Sequence, residues 1–99
     1  IDDNLIDGVT GIDQPAISLA NATGISISNN QIRNATFIGI ALNGVNTATV
    51  IDNVITNIGA DGIYLSDSLA PTGAISISNN QITQANLNGA VDRGGIGLD

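Results

Sequence analysis

The chain of 99 residues has no Cys, His, Lys, Glu, Met or Trp, and its aromatics are one Phe and one Tyr. Without Cys there is no disulfide frame, and without Cys or His no zinc site of the usual kind. With no Lys, and only Arg33 and Arg93 against nine Asp, the net charge is −7 and the pI about 4.1. Nothing is available to neutralise phosphates, so neither nucleic acid nor an anionic membrane is expected as a partner. No run approaches the ~18–20 apolar residues of a membrane span, and membrane insertion is not expected either. Helix formers are scarce, because β-branched residues, Asn, Asp, Ser and Gly crowd them out. Disorder is opposed by a 42% hydrophobic content led by seventeen Ile. What remains is an acidic, β-forming chain.

Repetition organises it. The octapeptide Ile25–Ile32 returns unchanged as Ile75–Ile82, a period of 50. A looser pattern, apolar-x-x-Asn-x-Ile, halves that period: Ile1/Asn4/Ile6, Ile27/Asn30/Ile32, Val50/Asn53/Ile55 and Ile77/Asn80/Ile82. A second pattern, small-Ile-x-Leu, falls once in each interval, at Ala16–Leu19, Gly39–Leu42, Gly62–Leu65 and Gly95–Leu98. Alternating apolar pairs lead into the Asn motif at Ile25/Ile27, Ala48/Val50 and Ile75/Ile77. Four coils of about 25 residues cover residues 1–99 as a single segment, built of two duplicated two-coil units, about 1–49 and 50–99.

Periods of this length predict a solenoid, and alternation at period 2 makes its units strands. Equivalent strands should stack into parallel sheets ~4.8 Å apart. The expected core columns are Ile17/Ile40/Ile63/Ile96, Leu19/Leu42/Leu65/Leu98, Ile27/Val50/Ile77 and Ile6/Ile32/Ile55/Ile82. Parallel crossovers are right-handed as a rule, so a right-handed coil is expected. Asn4, Asn30, Asn53 and Asn80 occupy one position at the bend between two strands. An inward amide there can bond the turn's own backbone and the Asn of the next coil.

In these Asn motifs and coil repeats the chain resembles the right-handed parallel β-helix proteins. That superfamily includes pectate lyases, polygalacturonases, alginate epimerases, autotransporter passengers and tailspikes. The resemblance spans the whole chain and implies an all-β solenoid. It implies little about activity, since one scaffold carries many chemistries.

Acidic and neutral residues alternate just before the ladder, as Asp3, Asn29, Asp52 and Asn79, and Leu5, Gln31, Val54 and Gln81 alternate just after it. Stacked carboxylates are thereby kept two spacings apart, ~9.6 Å. The longest insertion falls in the last coil, about 83–94.

Catalytic expectations are negative. Lyases that the chain resembles use Lys, Arg or His near calcium; here Lys and His are absent, and Arg33 reads as a solvated strand residue. Polygalacturonase-like hydrolases use clustered Asp, but six extended residues put Asp61 and Asp67 ~20 Å apart. Asp3 and Asp52, at ~9.6 Å, lie at the outer edge of the inverting-glycosidase range but have no acidic neighbour. Ser and Thr are numerous, with no base to activate one.

No site residue is therefore assigned, whether catalytic, cofactor-binding or metal-binding, and no cofactor. Weak calcium binding is weighed at Asp2, Asp3, Asp7 and Asp13 against a solvated acidic surface that keeps a solenoid soluble, and the surface reading is preferred. Tyr64 is read as an outward platform for a sugar or for the last insertion, and Phe37 as a loop-side core plug. Asn21 and Asn34 begin Asn-x-Thr sequences by composition, and Asn34 reads as a loop position.

The uncovered Ile and Leu layers at both ends suggest either an excerpt of a longer β-helix or ends that dock head-to-tail. Pro or Lys at Gly97 would then block docking. The functional expectation is a structural, non-catalytic β-solenoid segment of a secreted bacterial surface protein or extracellular filament. It would lie extracellularly or at the cell surface, with self-association end-to-end and polysaccharide as candidate partners. The alternative is an excerpt of a polysaccharide-active β-helix whose catalytic residues lie elsewhere.

Overall fold

The computed structural model describes residues 1–66, 74–87 and 95–98. Among these are eleven strands and no helix: β1 (Leu5–Asp7), β2 (Ile17–Ala20), β3 (Thr23–Ser28), β4 (Gln31–Ala35), β5 (Ile40–Asn43), β6 (Asn46–Ile51), β7 (Val54–Ile58), β8 (Ile63–Ser66), β9 (Ile75–Ser78), β10 (Gln81–Thr83) and β11 (Ile96–Leu98). They form three sheets ordered β1-β4-β7-β10, β2-β5-β8-β11 and β3-β6-β9. Every pairing is parallel. The four expected coils are three complete turns, β3–β5, β6–β8 and β9–β11, preceded by the two strands of an opening turn. Where a third strand of that opening turn would lie, Asp2 makes a single bridge to Ser28.

All four expected columns form in register. Ile17, Ile40, Ile63 and Ile96 are successive partners, as are Leu19, Leu42, Leu65 and Leu98. Ile6, Ile32, Ile55 and Ile82 stack likewise, and Ile27, Val50 and Ile77 line the third sheet. In the middle turns these side chains leave water almost completely: Ile27, Ile32, Ile40, Val50, Ile55 and Ile63 are each 0% exposed. A fully buried aliphatic side chain of this size contributes about 1.5–3 kcal/mol, and stacked β-branched residues pack well on a pleated surface.

Bends are made by left-handed residues that recur coil by coil. Asp3, Asn29, Asp52 and Asn79, each just before a ladder Asn, have φ of 56°, 56°, 58° and 54°. Asn and Asp tolerate this conformation better than other non-Gly residues. The alternation of Asp with Asn there thus satisfies a backbone demand as well as separating charge. A second such column, Gly8, Asn34, Asn57 and Gln84, has φ of 79°, 58°, 60° and 54°. Asn34 and Asn57 lie inside β4 and β7 rather than on loops, and they break the alternation. Ile32 and Ala35, three apart, are consequently both buried, and so are Ile55 and Ile58. The core also takes Ile38 and Val45, which no period-2 column contains.

The glycines just before β5 and β8 have a steric origin. A methyl group on Gly39 would sit 2.5 Å from the Gly62 carbonyl oxygen and 2.9 Å from Ile55 Cγ2. One on Gly62 would meet Ile82 Cγ2 at 2.5 Å, whereas Gly95 has open space around it. Gly39→Ala should therefore cost about 1–3 kcal/mol by overpacking, and Gly95→Ala far less. Urea midpoints of the two variants against the parent chain test this, and equal losses would contradict the close approach of coils at Gly39.

Candidate functional site

The most organised polar feature is the inner corner between the third and first sheets. Asn30 and Asn53 are both 0% exposed there. Each ladder residue donates to the next one up through two groups. The Asn4 N–H and Nδ2 reach Asn30 Oδ1 at 3.0 and 3.1 Å. Those of Asn30 reach Asn53 Oδ1 at 3.0 and 2.9 Å. Those of Asn53 reach Asn80 Oδ1 at 3.0 and 2.9 Å. The amide also reaches back: Nδ2 of Asn30, Asn53 and Asn80 donates to the carbonyls of Ile1, Ile27 and Val50, one coil below. Burying an amide is costly unless its hydrogen bonds are made, and here they are made by the neighbouring coils.

A second line of amides runs on the outer surface in the opposite sense. Asn57 Nδ2 donates to Asn34 Oδ1, and Asn34 Nδ2 to Asp7 Oδ1 at 2.6 Å. Asp7 also receives the Arg33 guanidinium, Nε to Oδ2 at 3.0 Å. Arg33 is thus exposed on a strand, as expected, but paired. Sequence reasoning missed this line; its trace in the sequence was an Asn four residues after the ladder Asn in two coils, Asn34 and Asn57.

The four acids weighed for calcium do not come together. Asp2 Oδ1 accepts from Ser28 Oγ at 2.8 Å and Asn29 Nδ2 at 3.0 Å, while Asp7 is occupied as above. Asp3 and Asp13 sit at left-handed bends with φ of 56° and 59°. Among the described residues no three carboxylates gather into a group that could hold a metal. The Asn29 and Ser28 hydrogen bonds hold the Asp2 carboxyl below the ordinary carboxylate value of 3.8. The Asn34 bond, and then Arg33, do the same for Asp7.

Other candidates scatter. Asp61 is buried, at 1% exposure, and Asp67, most of the 83–94 insertion and Arg93 lie outside the described residues. Asp3 and Asp52 are exposed corner residues with Asn29 on the level between them. Tyr64 points outward in the predicted row between Ala41 and Gly97 and is half-buried. Phe37 is not a core plug; Ile38 fills the core beside it, and half-buried Phe37 lines a surface hollow of about 460 Å³ with Gly11, Ile12, Asp13 and Thr36. Asn21 has φ 52°, and Asn34 uses its amide in the outer line.

Two outcomes follow. Asn53→Ala strands the Asn30 donors and should cost about 1–3 kcal/mol more than Asn46→Ala at an exposed position; equal urea midpoints would remove the ladder from the stability of the fold. Acid should weaken the chain through Asp2 and Asp7. Their folded values are lowered, so their contribution is present above the ordinary value of 3.8 and lost as pH falls through the folded values. Unfolding midpoints measured from neutral pH downwards should drop below about pH 4, with a shallower drop in Asp7→Asn.

A family model described as right handed beta helix region matches residues 1–98. Neither the curated proteins nor the solved structures gave a match.

Proposed function

Because the chain belongs to the right-handed β-helix family, we propose that it acts as a structural, non-catalytic β-solenoid segment, a stiff stalk or spacer of a secreted bacterial surface protein or extracellular filament. One observation carries this reading: the polar groups at the inner corner are used between coils, from Asn4 through Asn30 and Asn53 to Asn80. The outer amides, Asp7 and Arg33 are likewise engaged with one another. Groups that bind the scaffold to itself are not held ready for a substrate. The absence of Lys leaves trypsin-like proteases only Arg33 and Arg93, which suits an extracellular setting. A net charge of −7 keeps such a surface solvated.

The alternative places the chain within a polysaccharide-active β-helix whose catalytic residues lie elsewhere. The hollow beside Phe37 and Ile12 favours it to the extent that a sugar face could rest there. The two readings separate on incubation of the chain with uronate-containing and neutral polysaccharides. The structural reading expects no new reducing ends or unsaturated products, and slow digestion by a broad-specificity protease that accelerates in Asn53→Ala. It also needs no resident cofactor, so millimolar calcium and chelator should give the same thermal midpoint. Polysaccharide cleavage would overturn it, and a calcium-dependent midpoint would return the acids of the opening turn to a binding role.

A further inference from the structure

Two of the thirteen Asn precede a Gly, Asn43 and Asn88. At an Asn–Gly step a chain most readily modifies itself, because the missing Cβ leaves the Gly nitrogen free to reach the Asn side chain. Asn88–Gly89 lies outside the described residues. Asn43–Gly44 sits within the stack, where Asn43 has Ala20 on the coil below and Ser66 on the coil above as its strand partners.

The peptide unit joining Asn43 to Gly44 is held from both sides. Its carbonyl oxygen, on Asn43, accepts the Asn21 N–H at 2.9 Å, and its N–H, on Gly44, donates to the Ser66 carbonyl at 2.7 Å. Asn43 ends β5, and Gly44 turns the chain toward β6 with φ of 61°. Gly44 and Val45 are buried. Asn43 is half-buried, yet its Oδ1 is out of water and has no hydrogen-bond partner. The main chain, and not that amide oxygen, ties this position to its neighbours.

We propose that Asn43–Gly44 is a latent self-modification site, shut while the coils on either side are in place and open when they part. In the reaction the Gly44 nitrogen loses its proton and attacks Asn43 Cγ. The side-chain nitrogen leaves as ammonia, and a five-membered succinimide ring forms. Water then opens the ring at either carbonyl, leaving Asp or, where the former main-chain carbonyl is cleaved from nitrogen, isoaspartate. Water is the only co-reactant. In the closed stack the attacking nitrogen has its hydrogen directed at Ser66, and the extended strand keeps it away from Asn43 Cγ. The step therefore waits for local opening.

The product does not fit the place it came from. Asp puts a carboxylate where Oδ1 is buried without a donor, and an unpaired buried charge is strongly disfavoured. Isoaspartate adds a methylene to the main chain between the Asn21 and Ser66 contacts, so the two cannot both be made in register. A reversible parting of coils thereby becomes permanent.

Incubation of the chain in mildly alkaline buffer, beside a free peptide of residues 40–46, tests this, with residue 43 followed by fragment-ion mass spectrometry. Asn43 of the folded chain should convert at least about tenfold more slowly than in the peptide, and the difference should vanish in urea above the unfolding midpoint. Equal rates in folded chain and peptide, without urea, overturn the protection. Asn43→Asp reproduces one product and is compared with Asn46→Asp, which adds the same charge at an exposed position. The urea midpoint of Asn43→Asp should be the lower of the two, and failure of that variant alone to fold is the extreme of the same result. An equal or higher midpoint overturns the one-way character of the change. The rate comparison uses the parent chain and stands whether or not the variant folds.

Discussion

Everything in this coil depends on one constraint: a buried amide at the inner corner can be satisfied only by the coil next to it. Asn30 and Asn53 have no water to bond, so Oδ1 must meet donors from below and Nδ2 a carbonyl beneath and an oxygen above. That condition fixes the stagger between coils to one position. Once the Asn positions are aligned, strand register follows, because Ile32 and Ile55 lie two residues beyond and Ile27 and Val50 three before. The apolar columns then add the larger share of stability, since aliphatic burial is non-directional and proportional to area. Hydrogen bonding chooses the register; hydrophobic burial holds it.

The corner imposes a conformational demand on the residue before each amide. The chain must turn sharply from the third sheet into the first, and a left-handed residue accomplishes this in a single step. Asp and Asn fill every occurrence. A similar bend within the first sheet is filled by Gly8, Asn34, Asn57 and Gln84. The richness in Asn thus has two physical sources, amides that bridge coils and backbones that bend left. Asn34 and Asn57 serve both, and their outer line ends on Asp7, where Arg33 balances the carboxylate.

Stability in such a molecule is distributed along one axis. The middle turns bury their columns completely, while the outer levels keep theirs partly in water, as expected when each unit contacts only its neighbours. The small residues Gly39 and Gly62 let successive backbones approach there. At the inner corner the polar groups are matched between coils, whereas Asn43 Oδ1 and Asn86 Oδ1 are buried without a hydrogen-bond partner. What a chain of this fold does is set by the side chains that stand outside the ladder and columns.

Much of this was written in the linear sequence. The Asn positions, the octapeptide repeated after 50 residues and the four aliphatic columns identified a parallel solenoid and its register, because a coil's inward positions recur at nearly constant spacing. The left-handed columns were not legible, since φ is a property of the bend and Asn, Asp, Gly and Gln share it without a common letter. Ala35 and Ile58 escaped a period-2 search because left-handed Asn34 and Asn57 shift the phase inside β4 and β7, and Ile38 and Val45 escaped it because they lie between strands. Asp7 looked like part of an acidic cluster and became the partner of Arg33 and Asn34, residues 26 and 27 positions away. Phe37 looked like a core residue, and the choice between it and Ile38 was made by the path of the loop. Sequence alone determined which residues stack, because identity repeats along the chain. Tertiary structure decided which polar groups pair across coils and which side chain of two neighbours faces inward, because both depend on the direction of a bend.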